Sequence, residues 1–243
     1  LPIQDTNAFL DLEIEKPTPQ GRDILVAIKA IAVNPVDTKV RAPKDKVESP
    51  ARIIGYDASG VVEAVGPDAT LFKPGDAVYY AGDITRSGTN AEFHLVDERI
   101  VGRVPDNLSM AEAAAMPLTT VTAWELLFDR LGVQPGKGHG KTLLVVGASG
   151  GVGSVLVQLA RQLTELTVIG TASRDATRDW VLSLGAHKVI DHSKPLTEGL
   201  SQIGVSEVDY VASLTHTDEH IDQIVEALRP QGKLGLIDDP LQL

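Results

Sequence analysis

The 243-residue chain predicts an α/β protein in two parts, a β-rich first part and then a doubly wound parallel sheet. Three observations predict it. Leu143-Leu144-Val145-Val146 is an apolar run that feeds into Gly147-Ala148-Ser149-Gly150-Gly151-Val152-Gly153. A helical pattern comes next, with apolar residues at 152, 155, 156, 159, 160 and 163. From Thr142 onward strand and helix patterns alternate. Before residue 108, short strand patterns are separated by Gly, Pro and Asp turn chemistry.

In chain order, Ile24 to Val33 reads as a strand buried on both faces, because both alternating sets of residues are mostly apolar. Asn34-Pro35 stops it, since proline cannot continue a central ladder. Lys44 to Pro50 is charged and reads as a loop. Ile53 to Val65 carries Gly55 and Gly60 among apolar and β-branched residues, and Gly66-Pro67-Asp68 and Lys73-Pro74-Gly75-Asp76 are turns. Ala77 to Ala81 and Ala91 to Val96 are further strands, joined by the polar loop Gly82 to Asn90, so a small barrel or sandwich is expected. Ser109-x-x-Glu112 is a capping box that opens a short alanine-rich helix, which Pro117 is expected to end. A second helix covers Thr120 to Leu131, with Gly132 as its C-terminal glycine, and Gln134 to Gly140 is a connector. The second part then reads as strand 142–147, helix 152–163, strand 167–171, helix 175–184, strands 187–190 and 208–213, helix 218–229 and strand 233–238. No internal repeat is visible.

The formal net charge of −11 argues against nucleic acid or an anionic membrane as partner. The chain has no cysteine, which excludes disulfides and thiolate zinc sites. No apolar stretch reaches membrane length and no signal peptide is visible, so a cytoplasmic location is the expectation. Leu1 is not a natural start, and residues are expected before it.

The strand, glycine turn and helix at 143–163 are the context that a dinucleotide fingerprint requires, here in the variant Ala148-x-Gly150-x-x-Gly153. Gly150 removes a side chain where backbone approaches a pyrophosphate, and Gly153 lets the helix pack closely. The backbone of Ser149, Gly150, Gly151, Val152 and Gly153 is therefore the expected phosphate cradle, at a helix N-terminus. The second strand ends in Gly170-Thr171-Ala172-Ser173-Arg174. No acid stands there to bind a ribose 2′-hydroxyl, whereas Ser173 and Arg174 suit a 2′-phosphate. NADPH is the expected cofactor. Asp175 reads as a helix N-cap.

Four phrases now line up in order: Asn34-Pro35-Val36-Asp37-Thr38-Lys39, Gly55-Tyr56-Asp57-Ala58-Ser59-Gly60, Pro117-Leu118-Thr119-Thr120-Val121-Thr122-Ala123 and Gly147 to Gly153. Together they resemble the zinc-free quinone oxidoreductase (zeta-crystallin-like) branch of the medium-chain dehydrogenase/reductase superfamily. The resemblance spans essentially the whole chain. It implies a GroES-like catalytic domain over residues 1–117 and a Rossmann dinucleotide-binding domain over 118–243. Members carry a further Rossmann strand and a return to the catalytic domain, so the chain reads as truncated at the C-terminus. The resemblance leaves a homodimer open and implies a small-molecule substrate.

By the same resemblance, the positions that hold catalytic zinc in the superfamily's alcohol dehydrogenases fall on Asn34, Tyr56 and Leu118. None is a thiolate, imidazole or carboxylate, and Asp57 alone cannot build a site. No metal is expected. His216-x-x-x-His220 has i, i+4 spacing, but it sits beside Asp218 and Glu219 at a helix start, where polar residues are ordinary. His94, His139, His187 and His192 read as structural or surface residues, His192 on the adenosine side. Without zinc, hydride delivery to an activated C=C bond needs only hydrogen-bond donors for the developing enolate oxygen. Asn34 and Tyr56, in the former ligand positions, are the expected donors. Asp37 is grouped with them as the residue that orients neighbours through backbone hydrogen bonds, and Thr122 is expected to touch the nicotinamide amide. The expected function is NADPH-dependent reduction of a quinone or an α,β-unsaturated carbonyl. The alternatives are a non-enzymatic NADPH-binding structural or sensor protein and, disfavoured by the missing cysteines, an alcohol dehydrogenase. A short-chain dehydrogenase is excluded by the lack of Tyr-x-x-x-Lys.

Overall fold

The computed structural model describes residues 5, 7–42 and 50–238. The chain divides into two units, Leu1–Leu118 and Thr119–Leu243. The expected loop at 44–50 lies outside the described residues apart from Pro50.

In the first unit, β1 (Asp23–Ile31), β2 (Ala58–Val65), β3 (Ala77–Tyr80), β4 (Phe93–Asp97) and β5 (Gly102–Arg103) form one antiparallel sheet in the order β4-β1-β2-β3-β5. β1 has a partner on each side, and Ile24, Leu25 and Val26 are buried, as a central strand requires. The two-sided burial stops there: Lys29 and Ile31 are exposed, and Val33 beyond the strand is 77 % exposed. The core gathers Ile24, Val26, Ala58, Val62, Val78, Tyr80 and Val96. Residues 53–57 lie outside the ladder, so the expected strand from Ile53 begins only at Ala58.

Asn34-Pro35 does more than end a strand. It opens α1 (Pro35–Arg41), with Pro35 in the first turn, where the missing N–H costs nothing. The capping box at Ser109 opens α2 (Met110–Ala114). Glu112 Oε2 accepts the Ser109 N–H at 2.9 Å, and the Glu112 N–H donates to Ser109 Oγ at 3.3 Å. Pro117 does not end this helix as expected. Instead α2 stops at Ala114 and Pro117 begins α3 (Pro117–Trp124), for the same reason as Pro35. The next residues, Glu125–Arg130, are wound one residue wider, as a π-helix, with the Leu131 N–H on the Leu126 carbonyl at 2.9 Å.

In the second unit, β6 (Thr142–Val146), β7 (Thr167–Thr171), β8 (Lys188–Ile190), β9 (Val208–Ser213) and β10 (Leu228–Leu236) form a parallel sheet in the order β10-β9-β6-β7-β8. The helices are α4 (Gly151–Leu163), α5 (Asp175–Ser183), α6 (Leu196–Gln202) and α7 (Thr217–Ala227). β6 shows why its sequence is apolar without alternation. Leu143 and Val145 join Val155, Leu156 and Ala160 of α4 and Val181 of α5 on one face, while Leu144 and Val146 join Leu196, Leu200, Ile224 and Ala227 of α6 and α7 on the other. The sequence pattern shows neither α1 nor α6. Each is seven residues long, too short for a helical period to stand out. The chain runs one way from β6 through β7 to β8, then resumes on the other side of β6 with β9. The end of β6 is therefore a topological switch point, where such sheets bind ligands.

Candidate functional site

At that switch point Gly147 has φ +82°, a conformation that favours glycine, and its N–H donates to Thr171 Oγ1 at the tip of β7 at 3.1 Å. The turn closes with the Gly150 N–H on the Gly147 carbonyl at 3.1 Å, and Gly150 is the N-cap of α4. A Cβ at Gly153 would lie 2.4 Å from the Gly147 carbonyl oxygen and 2.7 Å from Ala148, so only glycine lets α4 start this close to the turn. Gly150 and Gly151 are exposed at the helix start, and a Cβ at Gly150 would meet nothing closer than 3.4 Å. The result is a side-chain-free cradle beside first-turn amides that have no partner within the helix, which fits a pyrophosphate.

Ser173 and Arg174 come directly after the buried Thr171 and Ala172 and are both exposed. The Arg174 guanidinium has no ion pair among the described residues, which leaves it available to an anion. Asp175, expected as an N-cap, is instead the first residue of α5; Arg174 is the cap, with extended backbone and no side-chain bond. In the first turn the Asp175 carboxylate still meets the positive end of the helix dipole. Thr122 lies on α3 and is half-buried.

In the first unit Asn34, Asp37, Tyr56 and Asp57 are all buried. Asp37 Oδ2 accepts the Asn34 backbone N–H at 2.7 Å, which fixes the entry to α1. The Asn34 side-chain amide donates through Nδ2 to Asp57 Oδ2 at 3.1 Å, and the Leu118 backbone N–H donates to Asp57 Oδ1 at 3.2 Å. The Asp57 carbonyl accepts the Ala32 N–H and the Tyr56 carbonyl accepts the Gly82 N–H. Arg52 Nη2 stands 3.4 Å from the Tyr56 hydroxyl. Gly55, just before them, has φ +101°, and a Cβ there would lie 2.2 Å from Asn90 Oδ1. Glycine is what lets this segment turn against the 82–90 loop.

Burial pushes the Asp57 carboxyl up to about 7, against the lowering effect of the Asn34 and Leu118 donors, and the nearby Asp37 charge pushes it the same way. From the sequence Asp57 reads only as a metal-ligand candidate, and its bond to Asn34 does not show. The available signal is an acid inside Gly55-Tyr56-Asp57-Ala58, directly before an apolar strand.

The residues do not fit zinc. Asn34 and Tyr56 are neutral, Leu118 contributes a backbone N–H, and the two nearby carboxylates are already engaged, Asp57 by two donors and Asp37 by the Asn34 backbone N–H. Among the described residues no group of three or more His, Cys, Asp or Glu is placed to hold a metal. The His216 ring pairs with Thr215 Oγ1 at 2.7 Å, while His220 meets His192 edge to face, with centroids 6.3 Å apart. His94 is structural: its ring stacks on Tyr80, accepts or donates at the Tyr80 hydroxyl at 3.0 Å and reaches the Ser87 carbonyl at 2.8 Å.

Two family descriptions match the chain: an alcohol dehydrogenase GroES-like domain over residues 20–123 and a zinc-binding dehydrogenase domain over residues 151–238. A zinc-type alcohol dehydrogenase-like protein of Staphylococcus aureus is 42 % identical over 237 residues, which cover 97 % of this chain and 70 % of that protein. A 2-methylene-furan-3-one reductase of Solanum lycopersicum is 38 % identical over 79 % of this chain and 50 % of its own length. The human quinone oxidoreductase is 33 % identical over 89 % and 60 %. Among solved structures, a candidate zinc-dependent alcohol dehydrogenase from Rhizobium etli CFN 42 superposes with a TM-score of 0.92 at 58 % identity, over 98 % of this chain and 70 % of that one. The Escherichia coli quinone oxidoreductase complexed with NADPH gives 0.78 at 28 % identity, over 92 % and 67 %. Two matching domains in order, and relatives at this identity over nearly the whole chain, carry one conclusion. The chain is an oxidoreductase of the zinc-type alcohol dehydrogenase-like family, within the medium-chain dehydrogenase/reductase superfamily that includes the quinone oxidoreductases.

Proposed function

We propose that the protein is a zinc-independent, NADPH-dependent reductase of quinones or α,β-unsaturated carbonyl compounds, acting in the cytoplasm. The observation that carries this reading is that Asn34 and Tyr56, which the resemblance puts at the superfamily's metal-ligand positions, are buried hydrogen-bond donors rather than thiolate, imidazole or carboxylate groups. Relatives named quinone oxidoreductase and 2-methylene-furan-3-one reductase support the substrate class. The exposed Ser173 and Arg174 at the end of β7 support the 2′-phosphate form of the cofactor, and the cradle at Ser149 to Gly153 supports its pyrophosphate.

When bound, a reduced nicotinamide supplies a hydride. In an enone the new C–H bond forms at the β-carbon, the C=C electron pair shifts and negative charge collects on the carbonyl oxygen. A solvent proton then completes the α-carbon. The role of this chain's residues is to stabilise that oxygen: the Tyr56 hydroxyl and the Asn34 amide donate to it, and Asp37 holds the Asn34 backbone in place. No step needs a metal.

The test is NADPH oxidation by the whole protein across a panel of quinones and enones, after dialysis against a chelator. Turnover that survives the chelator is expected. Binding of NADPH with no turnover of any panel member would overturn the reading in favour of a nucleotide-binding structural or sensor protein.

A further inference from the structure

We infer that Asp57 is a proton-linked positioning residue, whose buried carboxyl decides which end of the Asn34 amide is offered to the substrate oxygen. The inference rests on the proposed reductase reading for its consequence in turnover, but not for its structural content.

An ionised carboxylate only accepts hydrogen bonds. In that state Asp57 must be met by the NH₂ end of the Asn34 amide, as the 3.1 Å contact from Nδ2 to Oδ2 has it, while Oδ1 is held by the Leu118 N–H. One Asn34 N–H is then spent on Asp57, and the amide oxygen is turned the other way. That is the wrong dipole to offer an oxygen that is gaining negative charge. A protonated Asp57 keeps Oδ1 as the acceptor for Leu118 and gains an O–H at Oδ2. That O–H can donate to the Asn34 amide oxygen once the amide turns over, which frees both N–H groups for the substrate. The switch needs no backbone movement, because the Asn34 main chain stays fixed by Asp37.

The surroundings place this titration near neutrality. Asp57 is fully buried, and burial raises its carboxyl to about 7. Among the described residues the groups facing it are Asp37 on α1, whose charge acts in the same direction, and the neutral Asn34 amide and Leu118 N–H, which act against it. Along its own segment stand the Tyr56 phenol and, against the phenol, the Arg52 guanidinium. With Asp37 on the Asn34 backbone N–H and Asp57 on its side-chain amide, the protonation state of Asp57 sets which of two amide orientations is held.

The experiment tracks the whole, unliganded protein by NMR, with the Asp57 carboxyl carbon and the Asn34 side-chain amide observed from pH 5 to 9. The two signals are expected to move together, with one midpoint near neutrality, and the Asn34 amide is expected to stop responding in Asp57→Asn. An Asn34 amide that ignores pH while Asp57 titrates, or an Asp57 already ionised at pH 5, overturns the inference on the wild-type protein alone. The second arm is the pH profile of kcat for NADPH with a quinone and with an enone. Turnover is expected to fall by up to about tenfold per pH unit above the same midpoint, with KM little changed. Asp57→Asn, whose amide mimics the protonated acid, is expected to flatten that limb. A purely structural role for Asp57 would lower activity at every pH and leave the limb in place, which overturns the inference. Absence of any turnover removes the reductase reading, while the NMR arm still decides the positioning.

Discussion

The Asn34 side-chain nitrogen stands 3.1 Å from Asp57 Oδ2, so the residue expected to donate to substrate is itself tied to a buried acid 23 positions away in the chain. A change at either partner therefore alters the hydrogen bonding of the other, and under the proposed function this couples reactivity, pH response and stability.

Asn34→Ala and Tyr56→Phe are expected to lower kcat more than they raise KM, in the whole protein with a quinone and with an enone. Loss of one donor from a preorganised oxyanion site costs on the order of 10²–10³ in rate. With two donors sharing one oxygen, each single change should cost roughly 10- to 100-fold. A change confined to KM would mean that the residue binds substrate without favouring the transition state.

Arg174→Ala is expected to weaken NADPH binding by about 1.5–3 kcal/mol, the range for losing a charged hydrogen bond, and to leave NADH nearly unchanged. The guanidinium is exposed at the N-cap of α5, so the lower end of that range is the expectation. Calorimetric titration with both nucleotides measures it. Equal losses for the two would assign Arg174 another task.

Asp57 also sets a pH dependence of stability. Its folded-state carboxyl is raised from 3.8 to about 7, so the folded chain holds the proton more tightly than the unfolded one. Its contribution is most favourable below about pH 4 and is lost as pH rises through about 7. Thermal melts of wild type and Asp57→Asn should therefore diverge with pH, the variant gaining on wild type between pH 5 and 8. A gap that stays constant over that range would mean that Asp57 does not titrate there.

Gly153→Ala places a methyl 2.4 Å from the Gly147 carbonyl oxygen. Because the obstacle is backbone, the turn must shift, at a cost of about 1–3 kcal/mol for overpacking. The expected result is a lower Tm together with weaker NADPH binding. Gly150→Ala, with its nearest neighbour at 3.4 Å, should leave Tm almost unchanged while still obstructing the cradle.

What was legible in the sequence was local. The unbroken apolar run of β6, the glycine turn, the capping box at Ser109 and the boundaries of β7 and β9 all arise from residues next to one another, and the structure has them where the pattern places them. The order of the motifs was enough to show the family. Short elements were not legible, because α1 and α6 complete barely two turns and give no period to read. Pro35 and Pro117 carry the same ambiguity: a proline can end the preceding element or begin the next one equally well, and only the packing of α1 and α3 decides between the two. The strand order that puts the end of β6 at a switch point is a property of the whole sheet. Asp57 is the clearest case. An aspartate beside a tyrosine reads only as a metal-ligand candidate that cannot build a site alone. Its burial, its bond to Asn34 and its shifted carboxyl exist only because the chain brings α1, the 52–57 segment and the Leu118 amide around it, and desolvation is a property of that enclosure rather than of any residue's neighbours in sequence.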